Sequence, residues 1–517
     1  MRSRFPAIVL GLTLLAGSLA SVLTASVATA PHARSGAWAF TGIDVSKWQE
    51  TIDWPTVATQ VDFAIIKATE SQTMIDPAFA TNRANAAAAG VRIGMYHVAS
   101  PSASLADARA EANHFLQVAA PGAGNLIPAL DIEINRVPDW MTPTQLEAWA
   151  RAWLNHVTEK LGVRPMVYGS VYMFETLLGN TTWFADHGYA LWLARWGPLP
   201  SPLPANDWQG QGWTFWQWSN TGTVPGITTD VDRDRYVGTK LSRATIASLT
   251  AQPDVGGSIA DGSGRLACAA STSCTELFSP TDPIELTATP DPGYAFVSWA
   301  GACTGATPTC SVTALGAQTV TATFSHLLRV RVTGAGVGTV TSSPAGIACP
   351  GMCSATFAPG AGVTLTAAPD PWSGVTWSGD CTGTDPNGCT VTMDQPRNVT
   401  ATFADLGPAT ATIKPPGARN GPVRVRFDEP VRHVTADNLV VRLVHGRMLD
   451  ARLTCADVDG TRTPCNGGGI RSAQLQPTVH LKPGRAYLAI VDPAGVAPIR
   501  DRVGNATPRV HATFSFS

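Results

Sequence analysis

Apolar positions follow two rhythms along the chain. Up to about residue 248, short apolar runs alternate with longer stretches in which apolar residues recur at spacings of three and four, the strand and helix periods. The strand-like runs cover residues 42–45, 63–67, 91–97, 127–133, 166–169, 190–194 and 214–218, with a short piece around Val231. Between them the spacing predicts helices over 76–89, 105–119 and 143–161. The last has a clear start, with Thr142 as N-cap, Pro143 at the first helical position and Gln145 placed for a capping box. Such repeated strand–helix units predict a compact α/β barrel, TIM-like, with an open parallel sheet as the alternative.

Behind it the rhythm becomes a Thr/Val alternation of period two, the mark of half-buried strands. Leu286-Thr-Ala-Thr-Pro-Asp-Pro, Trp299-Ala-Gly-Ala-Cys303-Thr-Gly and Val320-Thr-Ala-Thr-Phe324 recur about 78 residues later as Leu365-Thr-Ala-Ala-Pro-Asp-Pro, Trp377-Ser-Gly-Asp-Cys381-Thr-Gly and Val399-Thr-Ala-Thr-Phe403. Two small β-modules are therefore expected. The stretch behind them, with Phe427-Asp-Glu-Pro-Val431 and Asp501-Arg-Val-Gly-Asn505, predicts a β-sandwich. The organisation expected is an export signal over 1–30, the α/β barrel over 38–248, a linker over 249–262 centred on the Gly/Pro-rich 251–258, modules over 263–326 and 327–405, and the sandwich over 408–517.

The signal is read from Arg2 and Arg4 ahead of an apolar stretch that runs from Ala7 to about Ala20 and ends in small residues up to Ala30. The stretch is too short for a membrane span, so the mature protein is expected outside the cell, without a span. All ten cysteines lie at or after Cys268, and an even count on an exported chain predicts disulfides, pairing the first two and the last two in each repeat. Cys349-x3-Cys353 would also suit zinc, but no histidine lies among the cysteines. Net charge is −2 with dispersed basic residues, which argues against nucleic acid as a partner.

Asp131 and Glu133 stand at the end of the fourth predicted strand. Residues two apart on a strand share a face, so these carboxylates project together with attachment points roughly 6 to 7 Å apart. Like charges that close, partly desolvated, do not ionise together easily; one acid then stays protonated, as protonation of a glycosidic oxygen requires. Alone, Asp-x-Glu fits a solvated strand end better. Other strand ends add Asp44, Lys67, Glu70, Tyr96, His97, Tyr168, Trp192, Arg195, Gln217 and Asp232, and a barrel brings such ends to one mouth. Carboxylates with aromatic walls suit a sugar. His97 fits a structural role as well as a site role, and Trp48 and Trp54 are expected in the core.

Gly42-Ile-Asp44-Val-Ser-Lys-Trp-Gln49, Lys67-Ala-Thr-Glu70, Gly94-Met-Tyr96-His97, Leu130-Asp-Ile-Glu133, Leu191-Trp-Leu-Ala194, Phe215-Trp-Gln-Trp218 and Val231-Asp232 together resemble the glycoside hydrolase family 25 lysozymes. The resemblance spans Trp38 to Lys240. It implies a barrel whose last strands lack full helices and an N-acetylmuramidase acting on peptidoglycan glycan strands, without metal or organic cofactor. It makes Glu133 the general acid, Asp131 its partner, and Asp44 and Asp232 the rest of an acidic floor, with Lys67, Tyr96, Tyr168, Trp192 and Gln217 binding substrate. The nucleophile is left open between the substrate's N-acetyl oxygen and a carboxylate. Two departures are visible: Arg195-Trp196-Gly197 where the family usually has a tyrosine, and Asp232-Arg233-Asp234 for its usual Asp-Leu-Asn. The repeats resemble divergent bacterial B-repeat modules and the last segment a bacterial Ig-like sandwich, which could hold cell-wall polymer or act as spacers. A chitinase on the same barrel, or an inactive lectin-like remnant, are the competing readings.

Overall fold

A computed structural model of the chain describes residues 40–386 and 388–517. The expected export signal and the first residues of the expected catalytic domain lie outside them. The chain divides into two compact units; the first runs to Leu249 and also takes in Thr275–Pro283 and Thr313–Gln318.

Nine strands build the first unit: β1 (Phe40–Val45), β2 (Phe63–Glu70), β3 (Met74–Ile75), β4 (Arg92–Val98), β5 (Ala129–Asp131), β6 (Met166–Ser170), β7 (Ala190–Ala194), β8 (Phe215–Gly222) and β9 (Val231–Tyr236). Eight close into a barrel-like sheet in the order β1-β9-β8-β7-β6-β5-β4-β2, with β1 pairing β2 and β3 hairpinned on β2. β1, β2 and β4 to β8 run parallel, whereas β9 runs antiparallel to both β1 and β8.

Alternation along each strand splits its side chains between two cores. Phe63, Ile65, Tyr96, Ala129, Met166, Trp192, Phe215 and Tyr236 fill the interior, which Leu241, Ala244 and Ile246 also line. Ala64, Ile66, Met95, Leu130, Val167 and Leu193 belong to a second core that includes the helices' apolar faces. Burial on both faces is why these strands read as continuous apolar runs.

Helices α1 (Trp54–Val57), α2 (Phe79–Ala88), α3 (Leu105–Ala119) and α4 (Pro143–Leu161) follow β1, β3, β4 and β5. α3 and α4 have the expected bounds, and the Thr142–Gln145 capping box forms in both directions. α2 starts three residues later than expected because Asp76 accepts from the backbone N–H groups of Ala78 and Lys47, holding a turn. After β6 only short helical pieces occur, such as the π-turn Met173–Leu177, and no helix joins β8 to β9. The regular strand–helix alternation thus ends with α4.

The second unit is all-β. In the first repeat, strands Ala267–Cys268, Gly257–Asp261, Pro283–Pro290 and Thr309–Thr313 form a sheet in that order; Ala348–Cys349, Gly338–Ser343, Gly362–Pro369 and Cys389–Thr392 reproduce it in the second. All ten cysteines are paired, Cys268–Cys274, Cys303–Cys310, Cys349–Cys353, Cys381–Cys389 and Cys455–Cys465, as expected and with no thiol left for zinc. Trp299 and Trp377 are buried, and their ring N–H groups donate to the carbonyls of Thr307 and Asp385 at 2.9 Å. They are core residues. The repeats also share a strand: Ala317–Thr333 pairs with Tyr294–Gly301 of the first copy and with Ser354–Phe357 and Arg397–Asp405 of the second.

The stretch 251–258, expected as a linker, is mostly strand: Ala247–Pro253 and Gly257–Asp261 flank a turn at Gly256. Its glycines serve packing, since a Cβ on Gly257 would lie 2.3 Å from the Phe324 ring. Beyond residue 408, a six-stranded and a three-stranded sheet share one core, to which Val423, Val425 and Ala473 come from one and Val441, Ala489 and Val491 from the other.

Candidate active site

Strand register gathers the expected residues at the carboxyl ends of the parallel strands. Asp44 on β1 stands opposite Asp232 on β9, Asp131 beside Tyr168, Tyr168 beside Trp192, and Gln217 opposite Asp234. Gln217 ties two of them to Trp196. Its amide donates to Asp44 Oδ2 at 2.8 Å, while its oxygen accepts from Tyr168 OH at 3.0 Å and Trp196 Nε1 at 3.2 Å. Trp192 packs on Tyr96 and Tyr168, at 6.1 and 4.5 Å between centroids, and donates its ring N–H to Asp234 Oδ1 at 2.8 Å.

Asp131 and Glu133 differ in setting. Asp131 is buried with no hydrogen-bond partner for its Oδ1, whereas the Glu133 side chain is 44% exposed just past the strand end. Burial first, then Glu133 and Asp44, raise the Asp131 carboxyl well above the usual carboxylate range, so the effect expected of the pair falls on the aspartate. Lys67 opposes that rise and is itself held by Glu70 at 2.7 Å; Arg136 reaches Glu70 at 2.5 Å and Glu133 at 3.9 Å. The Lys67 charge therefore acts on Asp131, whereas Asp44 feels its neighbours on β9.

Those neighbours form a proton-sharing group. Burial and then Asp234 raise Asp44; burial and then Asp44 push Asp232 up to about 9; burial and then Asp232 push Asp234 up to about 8. Near neutral pH these carboxyls hold protons between them. Tyr96 and Tyr168 keep their phenolic protons, chiefly through burial and then through Asp44 and Asp131.

Asp234 was noted in the sequence only as a departure from a pattern, yet it is fully buried within the cluster. Strict alternation in Asp232-Arg233-Asp234-Arg235-Tyr236 carried the signal, since Tyr236 faces the interior. Trp196, the other departure, reaches the site through Gln217. His97 points to the opposite face, stacked on Trp153 at 5.5 Å and held by Thr69 and Glu111 at 2.8 Å each. Trp54 is core, as expected. Trp48 is not: it is 71% exposed, with the Lys47 ammonium 4.8 Å from its ring centre.

Residues 43–227 match the model of glycosyl hydrolases family 25, and 247–327 and 328–406 each match the divergent InlB B-repeat domain. Lysozyme M1 of Streptomyces globisporus is 34% identical over 224 residues, which cover 41% of this chain and 72% of that protein. The chain belongs to glycosyl hydrolase family 25. This family 25 hydrolase is also 35% identical to the uncharacterized protein YegX of Escherichia coli K12, over 38% of its own length and 70% of that protein. To the N,O-diacetylmuramidase of Chalaropsis sp it is 26% identical, over 36% of its length and 90% of that protein.

Proposed function

We propose that this protein is an exported muramidase that hydrolyses the β-1,4 bond between N-acetylmuramic acid and N-acetylglucosamine in peptidoglycan, with Glu133 as general acid. The observation that carries the reading is the placement of Glu133 at the rim beside buried Asp131, on a floor completed by Asp44 and Asp232. Glu133 gives its proton to the glycosidic oxygen as the bond to the anomeric carbon breaks. The unpartnered Asp131 Oδ1 is suited to accept the N–H of the substrate's acetamido group, which favours the acetyl oxygen as internal nucleophile. Glu133, now ionised, takes a proton from the water that opens the cyclic intermediate. Tyr96, Tyr168, Trp192, Gln217 and Lys67 shape and hold the sugar site.

Export then belongs to 1–30, catalysis to 38–248, the two repeats to the matched stretches 247–327 and 328–406 and the sandwich to 408–517, the rear modules holding cell-wall polymer or spacing the enzyme from it. Disulfides and the names of the relatives support an extracellular, wall-directed role, and no helix among the described residues is long and apolar enough to cross a membrane. The test is release of reducing ends from purified peptidoglycan, with mass spectrometry after borohydride reduction. Wild type is expected to give fragments ending in reduced N-acetylmuramic acid, and Glu133→Gln to lose at least about a hundredfold in rate. Digestion of chitin with none of peptidoglycan would overturn the substrate assignment.

A further inference from the structure

Outside the barrel, three acidic side chains meet at one place. Asp405 closes the last strand of the second repeat, Glu429 lies in the irregular stretch of Val423–Arg432, and Asp501 opens the 501–505 loop. One carboxylate oxygen from each lies within 4.8 Å of the other two. Glu429 and Asp501 are 2% and 0% exposed, and Asp405 Oδ1, Glu429 Oε2 and Asp501 Oδ2 are all buried without a hydrogen-bond partner.

The other oxygens of the two aspartates are already held. Asp501 Oδ1 accepts from the backbone N–H groups of Val503, Gly504 and Asn505 at 3.0, 2.7 and 2.8 Å. Asp405 Oδ2 accepts from Gly407 N at 3.2 Å and Asn505 Nδ2 at 2.8 Å. These contacts orient the remaining oxygens before any ligand arrives, the arrangement expected around a metal. Asp428 adds repulsion, and Arg471 offsets part of it from a place where its guanidinium stacks on Trp372 at 5.2 Å.

Two oxygens on one calcium ion stand at most about 4.6 to 5.2 Å apart, twice the usual bond length, so the observed spacing allows all three to share it. We infer that Asp405, Glu429 and Asp501 form a calcium site that fastens the second repeat to the C-terminal sandwich. An all-oxygen, triply acidic set suits a hard divalent cation, and water and second carboxylate oxygens supply the rest of its shell. A millimolar affinity range, typical of extracellular modules, would keep it filled outside the cell and empty it under chelation.

The test is isothermal titration of the mature full-length protein with calcium chloride, paired with calorimetric melting in calcium and in EGTA. Wild type is expected to bind one ion with a dissociation constant of about 10⁻⁴ to 10⁻³ M and to melt higher in calcium. Glu429→Gln should bind at least about tenfold more weakly, and in EGTA it should melt at or above wild type because repulsion is relieved. Asp428→Asn should bind as wild type, since the Asp428 oxygens already serve Thr410 N and Oγ1 at 2.6 Å. The inference is overturned if folded wild type takes up no calcium, if Glu429→Gln binds equally well, or if Asp428→Asn loses as much as Glu429→Gln. It is also overturned if wild type gains stability only on acidification, whether or not calcium is present, because the three carboxyls would then share a proton.

Discussion

Asp44 sits between two carboxyls of β9, so its ionisation is set by partners as well as by burial. The Asp234 charge raises it, and removing that charge lets Asp44 ionise at lower pH. Asp234→Asn is therefore expected to move the acid limb of the pH–rate profile down; an unmoved limb would mean that Asp44 is not the group behind it. A second pair of residues, His97 and Glu111, is expected to make stability depend on pH. Burial lowers His97 to about 3 and raises Glu111 to about 8. The unfolded chain binds the extra proton on His97 between about pH 3 and 6.5, so this term stabilises above that window and is lost as pH falls through it. For Glu111 the sign reverses: its contribution is full below about pH 4 and is lost as pH rises towards 8, and Asp232 and Asp234 add to the same trend. The barrel's melting temperature should thus fall from pH 6.5 to pH 8.5. A flat or rising curve there would show that these carboxyls ionise in the folded state at ordinary values.

At the scale of elements, the most sensitive joint is where the sheet closes. β1 and β2 pair at Gly42–Phe63, and a Cβ on Gly42 would meet the Phe63 ring at 2.2 Å inside a filled interior. Gly42→Ala should cost about 1 to 3 kcal/mol through overpacking, measured by urea unfolding followed by tryptophan fluorescence. Unchanged stability would show that the closure has slack. Elements with local causes were legible in the sequence: α3 and α4 have their expected ends because caps and spacing act within a few residues. β5 was read as seven residues and pairs over only three, because its length is set by neighbours far away in the chain. The linker reading failed for the same reason, as a glycine that packs under Phe324 has the composition of one that merely turns. In the site, every acidic residue named from the sequence sits at the mouth. Trp48 was misplaced because an indole's size says nothing about which side of a rim it lies on.

At the scale of the molecule, the repeats are not beads on a string. A single strand serves both, and bridges spanning four to ten residues tie down only short loops, so the modules rely on each other for sheet pairing. The barrel's own unit also reaches past its last strand. Leu277 packs on the interior core, Ser279 Oγ accepts from Arg164 N at 2.9 Å, and Asp282 pairs with the Arg164 guanidinium at 2.5 Å. A chain ending at residue 248 should consequently melt below the full-length protein's barrel and lose part of its hydrolytic rate on storage, compared by calorimetry and by reducing-end release. Equal melting would make those contacts incidental.

Those contacts also order events in time. A chain delivered from its amino end presents all eight barrel strands well before Ser279, Asp282 and the segment ending at Gln318 emerge. The hydrolase unit therefore finishes assembling only after much of the first repeat has emerged behind it, so a fold that begins at the first strand is completed late in its own delivery.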